Sequence, residues 1–161
     1  MKRLLVLAAA AFVLALGACD ESSDEPYLEF AGGGFMFNYR IAEVFYGFVA
    51  RPLREIPEGT ILEAQFEDPS GGAPLVVTQV AKDYRQEFSF HSPPVKGVVA
   101  GRDYKVELRL LSAGDRELLA SYNTSFRSSA DQSILPSAPT VVGPGYLRNP
   151  ALQKEPQPSD G

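Results

Sequence analysis

RDYKVELRLL, residues 102 to 111, alternates without a break. Tyr104, Val106, Leu108 and Leu110 fall on one side of an extended chain, and Lys105, Glu107 and Arg109 on the other. Successive side chains of a strand point to opposite faces, so this pattern describes a half-buried antiparallel strand. The same period recurs on both sides. ELLASYNTSF (117–126) places Leu118, Ala120, Tyr122 and Phe126 together, and TILEAQFE (60–67) opposes Leu62, Ala64 and Phe66 to Glu63, Gln65 and Glu67. YRQEFSFH (84–91) sets Tyr84, Phe88 and Phe90 against Arg85, Glu87, Ser89 and His91, and PLVVTQVA (74–81) reads as a shorter, weaker strand. DPSGG (68–72) and SAGDR (112–116) have hairpin-turn composition. No window beyond the first residues sustains a helical period.

GFMFNYRIAEVFYGFVARPL (34–53) carries two phases. Phe35, Phe37, Tyr39 and Ile41 share one, and Val44, Tyr46 and Phe48 the other. A one-residue slip exchanges the faces, so either two strands meet near Ile41–Glu43 or one long strand is bulged there. Gly32–Gly34 read as a flexible link ahead of it. Eight of the 17 aromatic residues lie between Tyr27 and Phe48, which makes this stretch either core or an exposed groove for an extended ligand. The chain has no tryptophan, which weakens a sugar-stacking platform. Six to seven such strands predict an all-β fold, a single antiparallel β-sandwich over residues 26–128.

VVAGRDYKVELRLL (98–111) sharpens the expectation. It resembles the approach to the sixth strand of fibronectin type III domains, which runs Leu-x-Pro-Gly-Thr-x-Tyr-x-Val. Val98 and Ala100 replace the leucine and proline, Gly101 is kept, Arg102 replaces the threonine, and Tyr104 and Val106 match. The resemblance spans residues 84–126 and implies an immunoglobulin-like sandwich. It also implies that Tyr104 is a corner tyrosine, buried, with its hydroxyl bonded to a main-chain acceptor near residues 98–101. Tyr122 has no such expected partner.

The chain opens MKRLLVLAAAAFVLALGAC. Lys2 and Arg3 precede 13 uncharged apolar residues, Leu4 to Leu16, the parts of a secretory signal peptide. At about 1.5 Å per residue that run covers only about 20 Å as a helix, short of a hydrocarbon core of roughly 30 Å. Leu16-Gly17-Ala18-Cys19 resembles the lipobox of bacterial lipoproteins, and Cys19 is the single cysteine. The resemblance implies cleavage after residue 18, a diacylglycerol on the Cys19 sulfur and acylation of the new amino group, so that the partner is a lipid bilayer. Ordinary cleavage after Ala15-x-Gly17 is the alternative. Asp20 and Glu21 resemble the inner-membrane retention signal of enteric lipoproteins. Residues 19–25 form an acidic, solvated tether.

A chain starting at Cys19 would hold 13 Lys and Arg (15 less Lys2 and Arg3) against 20 Asp and Glu, a balance of −7 that argues against nucleic acid. Stability must come from the core, since a lone cysteine closes no intramolecular disulfide. Residues 129–161 hold six prolines and read as an extended or disordered tail.

No catalytic, cofactor or metal motif stands out. His91 is the single histidine and reads as a surface residue; it cannot pair with Ser92, because adjacent strand residues face opposite ways. Glu63, Glu67 and Asp68 have the chemistry of an acid–base pair but the pattern of a solvated strand face. The expectation is a non-catalytic interaction module of the cell envelope, partnering another envelope protein or polymer. The alternative is an envelope-polymer hydrolase or transferase using such a carboxylate pair.

Overall fold

The computed structural model describes residues 25–82 and 87–153. Cys19, Asp20, Glu21, the signal segment and Tyr84 lie outside the described residues. Two antiparallel sheets form a sandwich. One has the order β1-β2-β5, with β1 at Leu28–Asn38, β2 at Glu43–Pro52 and β5 at Phe88–His91. The other has the order β4-β3-β6-β7, from Leu75–Val80, Ile61–Phe66, Asp103–Leu111 and Leu118–Arg127. The expected all-β sandwich of seven strands is present.

The alternations decide which residues meet between the sheets. β2 contributes Val44, Tyr46, Phe48 and Ala50; β3 contributes Leu62, Ala64 and Phe66; β6 contributes Tyr104, Val106, Leu108 and Leu110. Rings knit the two layers together. Phe48 stacks on Phe90 of its own sheet at 5.2 Å, meets Phe30 edge-on at 5.1 Å, and crosses to Phe66 (5.8 Å) and Phe126 (6.3 Å) of the other. Tyr46 meets Phe66 at 5.1 Å, and burial pushes its phenol up from the ordinary tyrosine value while the hydroxyl donates to Glu67 O at 2.6 Å. Six of the eight rings of the aromatic stretch, all but Tyr39 and Phe45, are therefore core or its cover.

Two strands do meet at Ile41–Glu43, joined by a turn at Tyr39–Ala42 in which Ala42 has a left-handed φ of 56°. The glycines ahead of them depart from expectation. Gly32–Gly34 are inside β1, paired with β2 through Gly32↔Val49, Gly33↔Phe48 and Gly34↔Gly47 after a bulge at Ala31. Gly33 is needed there, because a Cβ would stand 2.5 Å from Gly47 O and from the Phe126 ring. The fifth strand starts at Phe88, with Glu87 outside it, and residues 83–86 lie outside the described residues.

Tyr104 is fully buried, and its hydroxyl is bonded five residues upstream. The direction differs from expectation: the Val99 N–H donates to Tyr104 Oη at 2.7 Å, so the main-chain group served is a donor. Tyr122 is not partnerless. Its hydroxyl accepts the Tyr27 N–H at 2.8 Å, tying the entry of β1 to β7. That contact spans 95 residues, so no local pattern could announce it.

After β7 the chain is extended between short turns and packs on the domain. A 3-10 turn at Gln132–Ile134 is pinned where the Gln132 N–H donates to Val98 O (2.9 Å) and its side-chain oxygen accepts the Gly97 N–H (2.6 Å). A two-stranded ribbon, β8 (Val141–Val142) and β9 (Leu147–Arg148), sits on the β1–β2 turn, with Thr140 and Val141 N–H both donating to Arg40 O. The Arg40 guanidinium lies over the Tyr146 ring.

Candidate functional site

The outer face of the β4-β3-β6-β7 sheet carries the carboxylates singled out from the sequence. Glu63 points outward from β3, yet its side chain is only 10% exposed because neighbours close over it. Its Oε1 accepts from Arg109 at 3.1 Å and Gln65 at 2.9 Å, and its Oε2 from Arg116 at 3.0 Å. Glu67 gives one oxygen to Arg102 (2.6 Å) and the other to the Lys105 N–H (2.9 Å). Asp68 caps its turn, accepting both the Ser70 hydroxyl and the Ser70 N–H.

A general acid or base needs an oxygen free to hand over or take a proton. Glu63 and Glu67 each present both oxygens to cationic or main-chain donors. They also stand four residues apart, roughly 13 Å along an extended chain, Glu63 inside β3 and Glu67 just past its end. The arrangement is a buttress for the sheet.

Three aspartates add an acid-sensitive element. The Ser70 hydroxyl lowers Asp68, the Arg127 guanidinium lowers Asp103, and the Ser112 hydroxyl lowers Asp115 below the ordinary aspartate value. A carboxyl depressed in the folded state contributes stability above its unfolded value of about 3.9 and loses it as pH falls through the folded value. The urea midpoint should therefore be level near neutrality and fall below about pH 4, and Asp103→Asn should shallow that fall. A midpoint that rises on acidification would contradict these assignments.

The outer face of the β1-β2-β5 sheet is different. Since Val44, Tyr46, Phe48 and Ala50 point into the core, the alternate residues of β2, with their register partners, form outward rows. These run Met36–Phe45, Gly34–Gly47–His91 and Gly32–Val49–Ser89. The middle row has no side chain on two of its three strands. The result is a trough of about 320 Å³ that is open over Gly32 and Gly34, while Phe90 O and the His91 imidazole close over Gly47. Met36 and Val49 form its sides and the His91 imidazole closes one end, with Phe45 meeting that ring edge-on at 5.9 Å. No carboxylate, lysine or arginine lines it.

His91 is on the exposed side of β5, as its pattern implies, and Ser92 turns inward, where its Oγ accepts the Tyr46 N–H at 3.2 Å. The two do not form a catalytic pair. The trough itself has no signature in any one segment, because it is assembled by register from three strands; the Gly32–Gly34 run, which reads as a link, was its one visible trace. Among the described residues no group of three or more His, Cys, Asp or Glu could hold a metal ion, and no helix is long and apolar enough to cross a membrane.

No family model matches the chain. No curated protein matches it either. Two solved structures of Bacteroides uniformis enzymes are similar in part: a β-glucuronidase, and β-glucuronidase 2 covalently bound to cyclophellitol-6-carboxylate aziridine. Each is 17% identical, with a TM-score of 0.43, over 64% of this chain and 14% of the enzyme. The similarity thus spans only a small fraction of those proteins' length.

Proposed function

We propose that the chain is a lipid-anchored protein of the bacterial cell envelope whose sandwich is a non-catalytic docking module of immunoglobulin-like, fibronectin type III design. The observation that carries this reading is Leu16-Gly17-Ala18-Cys19. The single cysteine stands where an apolar run ends and an acidic tether begins. Two or more acyl chains on Cys19 would hold the protein stably at a bilayer, whereas one binds only marginally. Asp20 and Glu21 favour the outer leaflet of the inner membrane, with the domain facing the periplasm.

The fibronectin-like part of the reading is supported by the three-plus-four strand order and by Tyr104, whose hydroxyl closes the corner before β6. Docking is favoured over hydrolysis or group transfer because Glu63 and Glu67 are committed to arginine and main-chain donors. A trough lined by glycine, methionine, valine and one imidazole is a surface for contact.

Expression in a bacterial host followed by detergent-phase partitioning tests the anchor. The wild-type chain should enter the detergent phase, and Cys19→Ser should leave it uncleaved or move it to the aqueous phase. Equal partitioning of the two with the leader removed from both would overturn the lipoprotein reading.

A further inference from the structure

Four strands end the two sheets, and three of them carry devices that keep a sheet edge from pairing. β1 is bulged at Ala31, β4 follows Pro74 and sends its Gln79 amide across to Ser89 O at 2.6 Å, and β5 runs on into Pro93 and Pro94. Bulges, proline, lysine and short length are how exposed edges are blunted. β7 is the exception. It is 10 residues long, contains neither lysine nor proline, and slips register only between Leu118 and Ala120. From Ala120 to Arg127 its pairing with β6 is regular.

The register decides what this edge offers. The Glu67 N–H donates to Lys105 O and the Ser128 N–H to Arg102 O, so odd-numbered residues of β6 bond toward β3 and even-numbered ones toward β7. Ala120, Tyr122, Thr124 and Phe126 are their partners in β7 and bond back to β6. The main-chain N–H and C=O groups of Ser121, Asn123 and Ser125 therefore point away from the sheet, and all three residues are exposed. Among the described residues nothing bonds to these main-chain groups. A row of donors and acceptors repeating every second residue is complementary to one shape, another extended backbone.

The neighbouring side chains select which backbone. Lys105 stands beside Ser125 in register, is exposed, and its ammonium has no bonded partner among the described residues. Ser125 is small, so the space beyond it is open, a hollow of about 590 Å³ lined by Lys105, Asn123, Thr124 and Ser125. On the inward side, Tyr122 and Phe126 are only half-buried against the core.

We propose that the β7 edge takes up an extended segment of a partner protein as a fifth strand of this sheet. Its inward residues are apolar and cover Tyr122 and Phe126; an outward aspartate or glutamate opposite Ser125 meets the Lys105 ammonium. A second copy of this chain lacks that complement. Pairing β7 with itself about Asn123 sets Ser121 against Ser125 and supplies no carboxylate, and pairing about Ser125 brings two Lys105 ammonium groups together, which like charge opposes. The inference names the partner contact of the docking module and rests on that reading only for the strand belonging to another protein. Uptake of a free peptide is independent of acylation at Cys19, so the two fail separately.

The test uses the full chain in neutral detergent micelles, with the heptapeptide acetyl-Ser-Val-Thr-Val-Glu-Val-Thr-amide as the probe. The expected result is saturable NMR shifts and slowed hydrogen exchange at the Ser121, Asn123 and Ser125 amides, with a dissociation constant in the millimolar range or below. The same peptide with lysine for glutamate should bind about fivefold more weakly, and Lys105→Gln should remove that preference. N-methylation of the central threonine and the glutamate deletes the peptide's donors to β7 and should abolish binding. Asn123→Pro makes the matching deletion in the edge, where proline is tolerated; the N-methylated peptide carries the test should that variant fail to fold. No saturable shift in the wild type, or undiminished binding of the N-methylated peptide, overturns strand addition. Equal binding of the glutamate and lysine peptides to the wild type overturns the role of Lys105. Protection of the three amides that grows with protein concentration and without peptide assigns the edge to a second copy and overturns the foreign strand.

Discussion

Phe48→Ala is expected to destabilise the domain by about 3–5 kcal/mol, a large share of the roughly 5–15 kcal/mol that holds a typical domain together. The residue is 3% exposed and its ring touches four others, two in each sheet. Truncation removes the transfer term and leaves a cavity that backbone-paired strands can collapse into only partly. It also removes ring–ring geometry worth about 0.5–1.5 kcal/mol per pair. Phe45→Ala is the comparison: three residues earlier on the same strand, this ring points outward over His91, and its loss should cost less than about 1 kcal/mol. Equilibrium unfolding in urea measures both. A Phe48→Ala loss no larger than that of Phe45→Ala would show that the ring cluster is not what joins the two sheets.

Tyr104→Phe should cost about 1–2 kcal/mol while keeping the ring contacts with Phe35 at 5.3 Å and Tyr46 at 6.2 Å. What it removes is the acceptor for the Val99 N–H. Part of that donor's environment is open to water, since Val99 is 49% exposed, which places the cost below that of a fully buried orphan. Tyr122→Phe should show a smaller loss, because it frees the Tyr27 N–H at a half-buried site. Tyr39→Phe, with an exposed ring, should be silent within about 0.5 kcal/mol. Equal, negligible losses at Tyr104 and Tyr39 would remove the corner.

The sandwich was legible because β3 and β6 each bury one face and β7 half-buries one, and a buried face writes period two into the chain. Leu62, Ala64, Phe66, Tyr104, Val106, Leu108 and Leu110 are all in the core as their alternation requires. The turn at Tyr39–Ala42 was legible as a change of phase. β1 was harder. Its glycines resemble a linker to any reading of single residues, and what makes them strand is β2 on one side and the Phe126 ring beneath Gly33. Tyr122 illustrates the same limit, since its hydroxyl serves a main-chain group from the other end of the domain. The trough was illegible for a geometric reason: Gly34, Gly47 and His91 become neighbours only through two strand registers, and none of the three segments alone describes a concavity.

β1 also settles how the domain would respond to tension. It begins at Leu28 and runs 11 residues, roughly 35 Å, to the turn that carries the β8–β9 ribbon. A pull applied at Leu28 and resisted at the Glu43 end of β2 acts along the length of β1. Its ten register pairs with β2 are then loaded together in shear, and none can part before the others yield. The same pull resisted at Pro52, the β2 residue beside Leu28, would instead peel the pairs one at a time, as a zip opens.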